Sequence, residues 1–229
     1  MKIKWGALVV DSRNKIGGQV ASRNRSGAYM RNKVTPVNPS TTAQIVARTI
    51  LSSNSQAWRS LTDAQREQWN SAVSDYQKTD IFGDIVRPSG FNLYVRLNSN
   101  LANVGASVIS TPLSPVGVNV FTSLSLAAAA GAGSLVATVS PETLDADEYV
   151  IASATAPQSA GKSFVKSEYR QIEIIQAVVG GSIDLAASYI AKFGSIGAAG
   201  QKVFVQFKHV NITTGQTSQP QEAVAVVSA

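Results

Sequence analysis

The chain has 229 residues, of which 44% are apolar, and a net charge of +6. This length suits one large domain or two small domains with a hydrophobic core. The sequence has no cysteine and one histidine, which excludes disulfide bridges and thiolate metal sites and leaves little material for transition-metal chemistry. It also lacks a run of about 18 apolar residues. We therefore expect no metal, no cofactor and no membrane span.

The positive charge is concentrated near the amino terminus. Residues 1–40 contain eight Lys and Arg side chains and one acid, a net charge of +7, whereas residues 110–229 have a net charge of −2. The stretch 16–33, "IGGQVASRNRSGAYMRNK", is rich in glycine and poor in large apolar residues, so it buries little surface by itself. This asymmetry indicates an arm that meets an acidic surface, on a protein or on nucleic acid.

The first predicted elements are short strands. "IKWGALVV" and "QVASRN" have strand-type composition, "DSRNKIGG" and "RSG" are turn-like, and "AYMRNKV" predicts a further strand. Two or three such strands are marginally stable in water without a surface to pack on. We interpret residues 1–37 as a basic, β-rich arm built on a hairpin.

A helical module is predicted for residues 38–109. Asn38 followed by Pro39 predicts the start of a first helix, on which Ala43, Val46, Ile50, Ala57, Trp58 and Leu61 share one face. Thr62 and Gln65 have the spacing of a capping box for a second helix, with Trp69, Ala72, Val73 and Tyr76 on its inner face. The connector "QKTDIFGDIVRP" is predicted to form a hairpin. A third helix starts at Ser89, has Phe91, Tyr94, Val95, Asn98 and Leu101 at helical spacing, and ends at Gly105.

The last region, residues 110–229, alternates with a period of two. The predicted strands are "SLVATVS", "EYVIASAT", "EYRQIEIIQAV", "KVFVQFKHVN" and "EAVAVVS", with a helix at "IDLAASYIAKFG" and a closing hairpin formed by the last two strands. The spacing of the turns is typical of a β-sandwich of the Ig-like or fibronectin-III-like kind. The predicted fold class is therefore α+β, with an amino-terminal arm, a helical module and a β-sandwich domain.

Three segments have the composition of a chemical site, and we discount each. "APQSAGKSF" resembles a phosphate-binding loop, but Ala156 replaces the required first glycine and no helix is predicted after it. His209 has no serine or acid near it in sequence, which favours an exposed strand histidine. The acids of "ETLDADEY", residues 142–149, lack the ligand spacing of a calcium loop. We therefore expect no catalytic residues and no enzymatic activity.

The arm is the one segment whose pattern indicates a binding function. Its cations are dispersed along strand-like segments, where each side chain is fixed to one face, and arginine and aromatic side chains are frequent hot spots of protein interfaces. The predicted partner-binding residues are Arg23, Arg25, Tyr29, Arg31 and Lys33, with Tyr29 as the anchor.

Residues 14–105 also resemble a known group of proteins. The resemblance rests on the "KIGG" turn, the basic segment "AYMRNKVTPVNP", the helical hairpin "QAWRSLTDAQREQW" and the helix "SGFNLYVRLN". These segments are similar to those of virion structural proteins of tailed bacteriophages and prophages, most of them uncharacterised. The resemblance implies location in the virion, assembly as a homo-oligomer, and contacts with other virion proteins of the capsid, the portal or connector, or the tail.

Several functions are compatible with these observations. The first expectation is a non-enzymatic structural protein, associated with the capsid or the head–tail connector, that docks through its arm. The alternatives are a tail component, a nucleic-acid-binding protein that touches the packaged genome, and a binder of host glycans through the Ig-like domain. The glycan alternative is weakened because the last region is poor in aromatic residues, with only eight Phe and Tyr side chains, and sugar sites usually present aromatic faces.

Overall fold

The computed structural model describes residues 1–24, 26–131 and 133–229. They form a mixed α+β fold with antiparallel sheets, which confirms the α+β part of the prediction. The chain divides into two compact units, Met1–Val95 and Arg96–Ala229. Within the described ranges we find no helix with the length and hydrophobicity needed to cross a bilayer.

The first unit begins with a three-stranded antiparallel sheet. Its strands are β1 (Asn14–Ile16), β2 (Gln19–Asn24) and β3 (Gly27–Asn32), and β2 is central. Lys2 pairs with Tyr29 on the free edge of β3. The strand predicted at residues 3–10 is wrong. The Ile3 N–H donates to the Ala28 carbonyl at 3.1 Å, but the chain then leaves the sheet and turns, and the Val9 N–H donates to the Gly6 carbonyl at 3.2 Å.

Three helices follow the sheet. They are α1 (Thr42–Ser60), α2 (Asp63–Ser71) and α3 (Gly90–Asn103); a 3-10 turn (Ala72–Ser74) and a small hairpin of β4 (Lys78–Thr79) and β5 (Ile85–Val86) lie between α2 and α3. The predicted start at Asn38 is wrong. Ser40 has a φ of +48°, which interrupts helical geometry, and Thr41 caps α1 instead.

The capping box and the hairpin connector are confirmed. The Thr62 hydroxyl accepts from the Gln65 N–H, and the Gln65 side chain accepts in return from the Thr62 N–H. Lys78 and Thr79 pair with Val86 and Ile85. Gly105, with a φ of +74°, follows the end of α3 as predicted.

The core of the first unit is aromatic. Tyr94 of α3 lies between Trp58 of α1 and Trp69 of α2, with ring centroids 5.3 Å from each. Trp69 is fully buried. The apolar face of α1 packs on other residues only in the second half of the helix, where Trp58 lies. In the first half Val46 is 51% exposed.

The second unit contains two antiparallel sheets. Its elements are β6 (Ser123–Ala129), β7 (Ser134–Ser140), β8 (Glu148–Ala154), β9 (Arg170–Ile175), β10 (Ser182–Asp184), α4 (Ala186–Phe193), β11 (Lys202–Asn211) and β12 (Gln221–Val226). The strand orders are β10-β7-β6 and β12-β11-β8-β9. Side chains of both sheets form one hydrophobic core. The predicted helix and closing hairpin are confirmed, whereas β6 and β10 were not predicted.

Candidate functional site

The sheet β1–β3 presents the predicted partner-binding residues. Cross-strand partners project from the same face of an antiparallel pair, and successive residues alternate between faces. Tyr29 pairs with Ser22, and Arg31 pairs with Val20, so these four side chains share one face. Arg23 pairs with Ala28, which places its side chain on the opposite face. The sheet thus separates Arg23 from the Tyr29–Arg31 pair.

A shallow cavity of about 520 Å³ lies on the face of Tyr29 and Arg31. Its lining includes Arg13, Ser22 and Asn24, so two guanidinium groups, a phenol and short polar side chains surround it. Atoms of Arg23 also line the cavity. Guanidinium groups form bidentate hydrogen bonds with planar anions, and tyrosine adds apolar contact with a polar end. The arrangement is suited to an anionic surface with carboxylate or phosphate groups.

Among the described cations of residues 1–40, three form salt bridges. The Lys2 ammonium lies 3.1 Å from an Asp80 carboxylate oxygen, and the Lys4 ammonium lies 2.7 Å from Asp84. Arg13 pairs with Asp11 at 2.9 Å. Asp80 and Asp84 belong to the β4–β5 hairpin, so part of the positive charge is neutralised within the same unit rather than by an outside partner.

Asp80 is the central acceptor of this connection. Besides Lys2, its carboxylate accepts from the N–H groups of Phe82 at 2.8 Å and Asp84 at 3.0 Å. Burial acts to raise the pKa of Asp80, but the hydrogen bonds from Phe82, Lys2 and Asp84 outweigh it and hold that pKa below its ordinary value. For Lys4, the hydrogen bond to Asp84 raises the pKa. Both groups are therefore charged at neutral pH.

The predicted partner-binding residues have different positions in the structure. Tyr29 and Arg31 lie together at the cavity, and Arg23 lies at its wall. Lys33 is exposed one residue beyond β3, where its N–H donates to the Gly18 carbonyl at 2.8 Å. Arg25 lies outside the described residues. In the described part of the chain, no salt bridge involves Arg23, Arg31 or Lys33.

Two features of this surface were missed. Arg13 joins the cavity because β1 pairs with β2, with Asn14 opposite Ala21. The pairing of Lys2 and Lys4 with the β4–β5 hairpin was also missed, although Asp80 and Asp84 of "DIFGD" were the available signal. The two partners of each salt bridge are about eighty residues apart in the sequence. Pairing over such a distance does not follow from the local sequence pattern.

The prediction that His209 is exposed is wrong, since its side chain is 1% exposed. His209 lies on the same face of β11 as Val203, Val205 and Phe207, which are all fully buried. The alternation of the strand in the sequence could have predicted this burial. Burial lowers the pKa of His209 to about 4. The ring is therefore neutral at pH 7.

The other two discounted segments show neither the helix of a phosphate-binding loop nor a set of metal ligands in the described part of the chain. Lys162 of the phosphate-loop-like segment forms an ion pair with Glu168, and residues 163–169 form no helix. In the described residues, no group of three His, Cys, Asp or Glu side chains is arranged to hold a metal ion. Compared with known protein families, curated proteins and solved structures, the chain matches none of them.

Proposed function

We propose that the protein is a non-enzymatic structural component of a tailed-phage virion, associated with the capsid or the head–tail connector. It docks on a neighbouring subunit through the basic face of the β1–β3 sheet. One observation supports this most directly: Tyr29 and Arg31 line one cavity, and Arg31 has no ion pair in the described part of the chain. The resemblance of residues 14–105 to virion proteins supports the same function.

A folded protein suits this surface better than a nucleic-acid backbone. The strands fix Arg31 to the face of Tyr29 and Arg23 to the other face, so the cations have defined positions rather than a diffuse distribution. Interfaces between proteins use such placed arginine and tyrosine side chains as anchors. Phosphate contacts of a DNA-binding arm need mainly positive charge and are strongly weakened by salt.

The second unit is proposed to be an Ig-like sandwich of the fibronectin-III kind. Such sandwiches place strands A, B and E in one sheet and C, F and G in the other. In chain order, β6, β7 and β10 take the places of A, B and E, and β8, β11 and β12 take those of C, F and G, with β9 beside C. This order supports the assignment, and α4 occupies the connection between E and F.

The test exchanges arginine for lysine, which retains the charge but removes the planar guanidinium. Arg23→Lys, Arg25→Lys and Arg31→Lys are combined, and the variant is supplied to infected cells in place of the wild-type chain. We expect particles to incorporate at least about fivefold less of it, because lysine cannot form the bidentate hydrogen bonds of a guanidinium group. Arg87→Lys, at an exposed position outside the sheet, is the matched control.

Circular dichroism of the purified variant shows whether it is folded. Normal incorporation of the triple variant, together with salt-sensitive binding of a DNA duplex by the isolated protein, would reject protein docking and favour contact with the genome.

A further inference from the structure

The second unit contains an acidic cavity of about 300 Å³ that the proposed docking surface does not include. It lies where the connection between β7 and β8 meets β11, and its lining includes Asn119, Thr122, Thr143, Asp145, Glu148 and His209. None of its described lining residues is a lysine or an arginine. The cavity therefore has negative charge without an internal counterion.

The imidazole of His209 lies in this cavity with unused hydrogen-bonding capacity. Both ring nitrogens are buried and have no hydrogen-bond partner. Nδ1 is 3.6 Å from the Glu148 Oε2 atom, which is longer than a hydrogen bond, and the Phe121 ring packs edge-on at a centroid distance of 4.4 Å. A buried polar group without a partner costs stability. Such a group in a cavity lining indicates a ligand that supplies the missing partner.

In the described part of the chain, the carboxylates of residues 145–148 accept hydrogen bonds from uncharged amides. Glu148 is 3% exposed and accepts from the Asn119 N–H at 2.9 Å. Asp145 accepts from the Asn119 side-chain amide at 2.5 Å, and Asp147 accepts from the Asn211 amide at 2.6 Å. Asp147 is not part of the cavity lining, and the two acids that are, Asp145 and Glu148, are thus held by neutral amides. A cationic donor would satisfy their charge and their remaining lone pairs.

An ammonium or guanidinium group fits these acceptors. Either group donates several hydrogen bonds, which the two carboxylates and the acceptor nitrogen of a neutral imidazole can receive. A divalent metal ion fits less well, because no three metal-ligating side chains are grouped in the described part of the chain. The cavity is also large enough to receive the end of a side chain from another molecule.

We propose that the cavity receives a basic side chain from the β1–β3 sheet of a second copy of this chain, with Arg31 as the inserted residue. The inference rests on the proposed function, because it uses the same basic face and names its partner. Charge complementarity supports it: residues 1–40 have a net charge of +7, and residues 110–229 have a net charge of −2. Contact between a basic face and an acidic cavity is heterologous, and repeated copies would form a ring or a filament.

Sedimentation equilibrium of the full-length chain tests this inference. The wild-type protein is expected to associate as its concentration rises, and Arg31→Glu and Asp145→Lys should each weaken association about tenfold or more. A chain with both changes should recover association, because each contact again joins opposite charges. Glu67→Lys, at an exposed position on α2, makes the same charge change as Asp145→Lys and should have little effect.

A second variant distinguishes a loss of association from a loss of folding. Glu148→Gln preserves the shape of the buried side chain and should also weaken association, with the melting curve showing that the protein is folded. A chain that stays monomeric at every concentration overturns the inference, as does association that Asp145→Lys and Glu148→Gln leave unchanged. Association that appears only with added Zn²⁺ and disappears with a chelator would also overturn it, in favour of a metal site.

Sedimentation and particle incorporation together separate this inference from the proposed function. If the wild-type chain is monomeric but the triple arginine variant is still lost from particles, docking on another virion protein stands and self-association is rejected. If the chain associates as described but all variants enter particles normally, self-association stands and the docking function is rejected.

Discussion

His209 is a neutral, buried imidazole next to Phe121 and Glu148, and this state depends on pH. Burial lowers its pKa to about 4 from an ordinary value of 6.5. The unfolded chain binds a proton below pH 6.5 and the folded chain only below about 4. Between these values the unfolded state binds more protons, so the contribution of His209 to stability falls as the pH falls. The neighbouring Glu148 acts in the opposite direction, since burial raises its pKa, and acid then favours the folded state.

The variant His209→Phe isolates the histidine. At pH 7 we expect the free energy of unfolding of this variant to equal or exceed that of the wild type. The substitution removes two buried polar atoms that have no hydrogen-bond partner. The advantage of the variant should grow by up to about 3 kcal/mol between pH 7 and pH 4. Urea denaturation followed by far-ultraviolet circular dichroism measures both values.

Tryptophan fluorescence is unsuitable for that measurement, because Trp5, Trp58 and Trp69 all belong to the first unit. Glu148→Gln is the control for the opposing carboxyl group. A constant difference between wild type and His209→Phe across this pH range would show that the histidine is not held neutral.

At the scale of elements, α1, α2 and the start of α3 meet in one aromatic cluster that includes Trp58, Trp69 and Tyr94. Trp69 of α2 packs edge-on against Tyr94 of α3 at 5.3 Å and is fully buried. Trp69→Ala removes this contact and leaves a cavity, which should lower the free energy of unfolding by roughly 3–5 kcal/mol. Denaturation followed by the fluorescence of the two remaining tryptophans, Trp5 and Trp58, measures it.

Phe82→Ala is the comparison for Trp69→Ala, because Phe82 is 43% exposed and its removal should cost much less. An equal loss in both variants would mean that the aromatic packing of α2 on α3 is not what stabilises the helices.

The attachment of the β1–β3 sheet to the β4–β5 hairpin is the second element-scale feature. Asp80→Asn removes the charge that pairs with Lys2 but retains an oxygen that accepts from Phe82 and Asp84. Backbone amides of Ile3 and Met30, which bond across the edge of β3, should exchange hydrogen faster in this variant. Hydrogen exchange with mass spectrometry of peptides covering residues 1–33 measures the effect.

Asp84→Asn should have a smaller effect on the same peptides, because the Lys4–Asp84 pair is more exposed and more screened by water. If neither variant changes exchange in residues 1–33, the sheet is held by backbone pairing alone.

At the scale of the whole molecule, the features that could be predicted from the sequence are those that depend on neighbouring residues. The capping box at Thr62, the glycine after α3 and the alternation of β8 and β11 follow from neighbouring residues, and all are present. The strand β10 has only three residues, too few for a periodic signal. The faces of Arg23 and Arg31, and the salt bridges to Asp80 and Asp84, depend on pairing between distant residues. Most of the fold was therefore predictable, and the geometry of the candidate site was not.

The segment between the basic sheet and α1 has a further consequence for binding. Residues 34–41 are exposed and form no helix or strand. Pro36 and Pro39 each restrict one φ angle, and Ser40 has a φ of +48°. Eight residues span at most about 27 Å even when fully extended, so the length of the segment limits its reach as a spacer. A spacer that matches the distance between two sites gives a high effective concentration of one binding group near the other. Many weak contacts, each too weak to persist alone, can then add to a durable attachment.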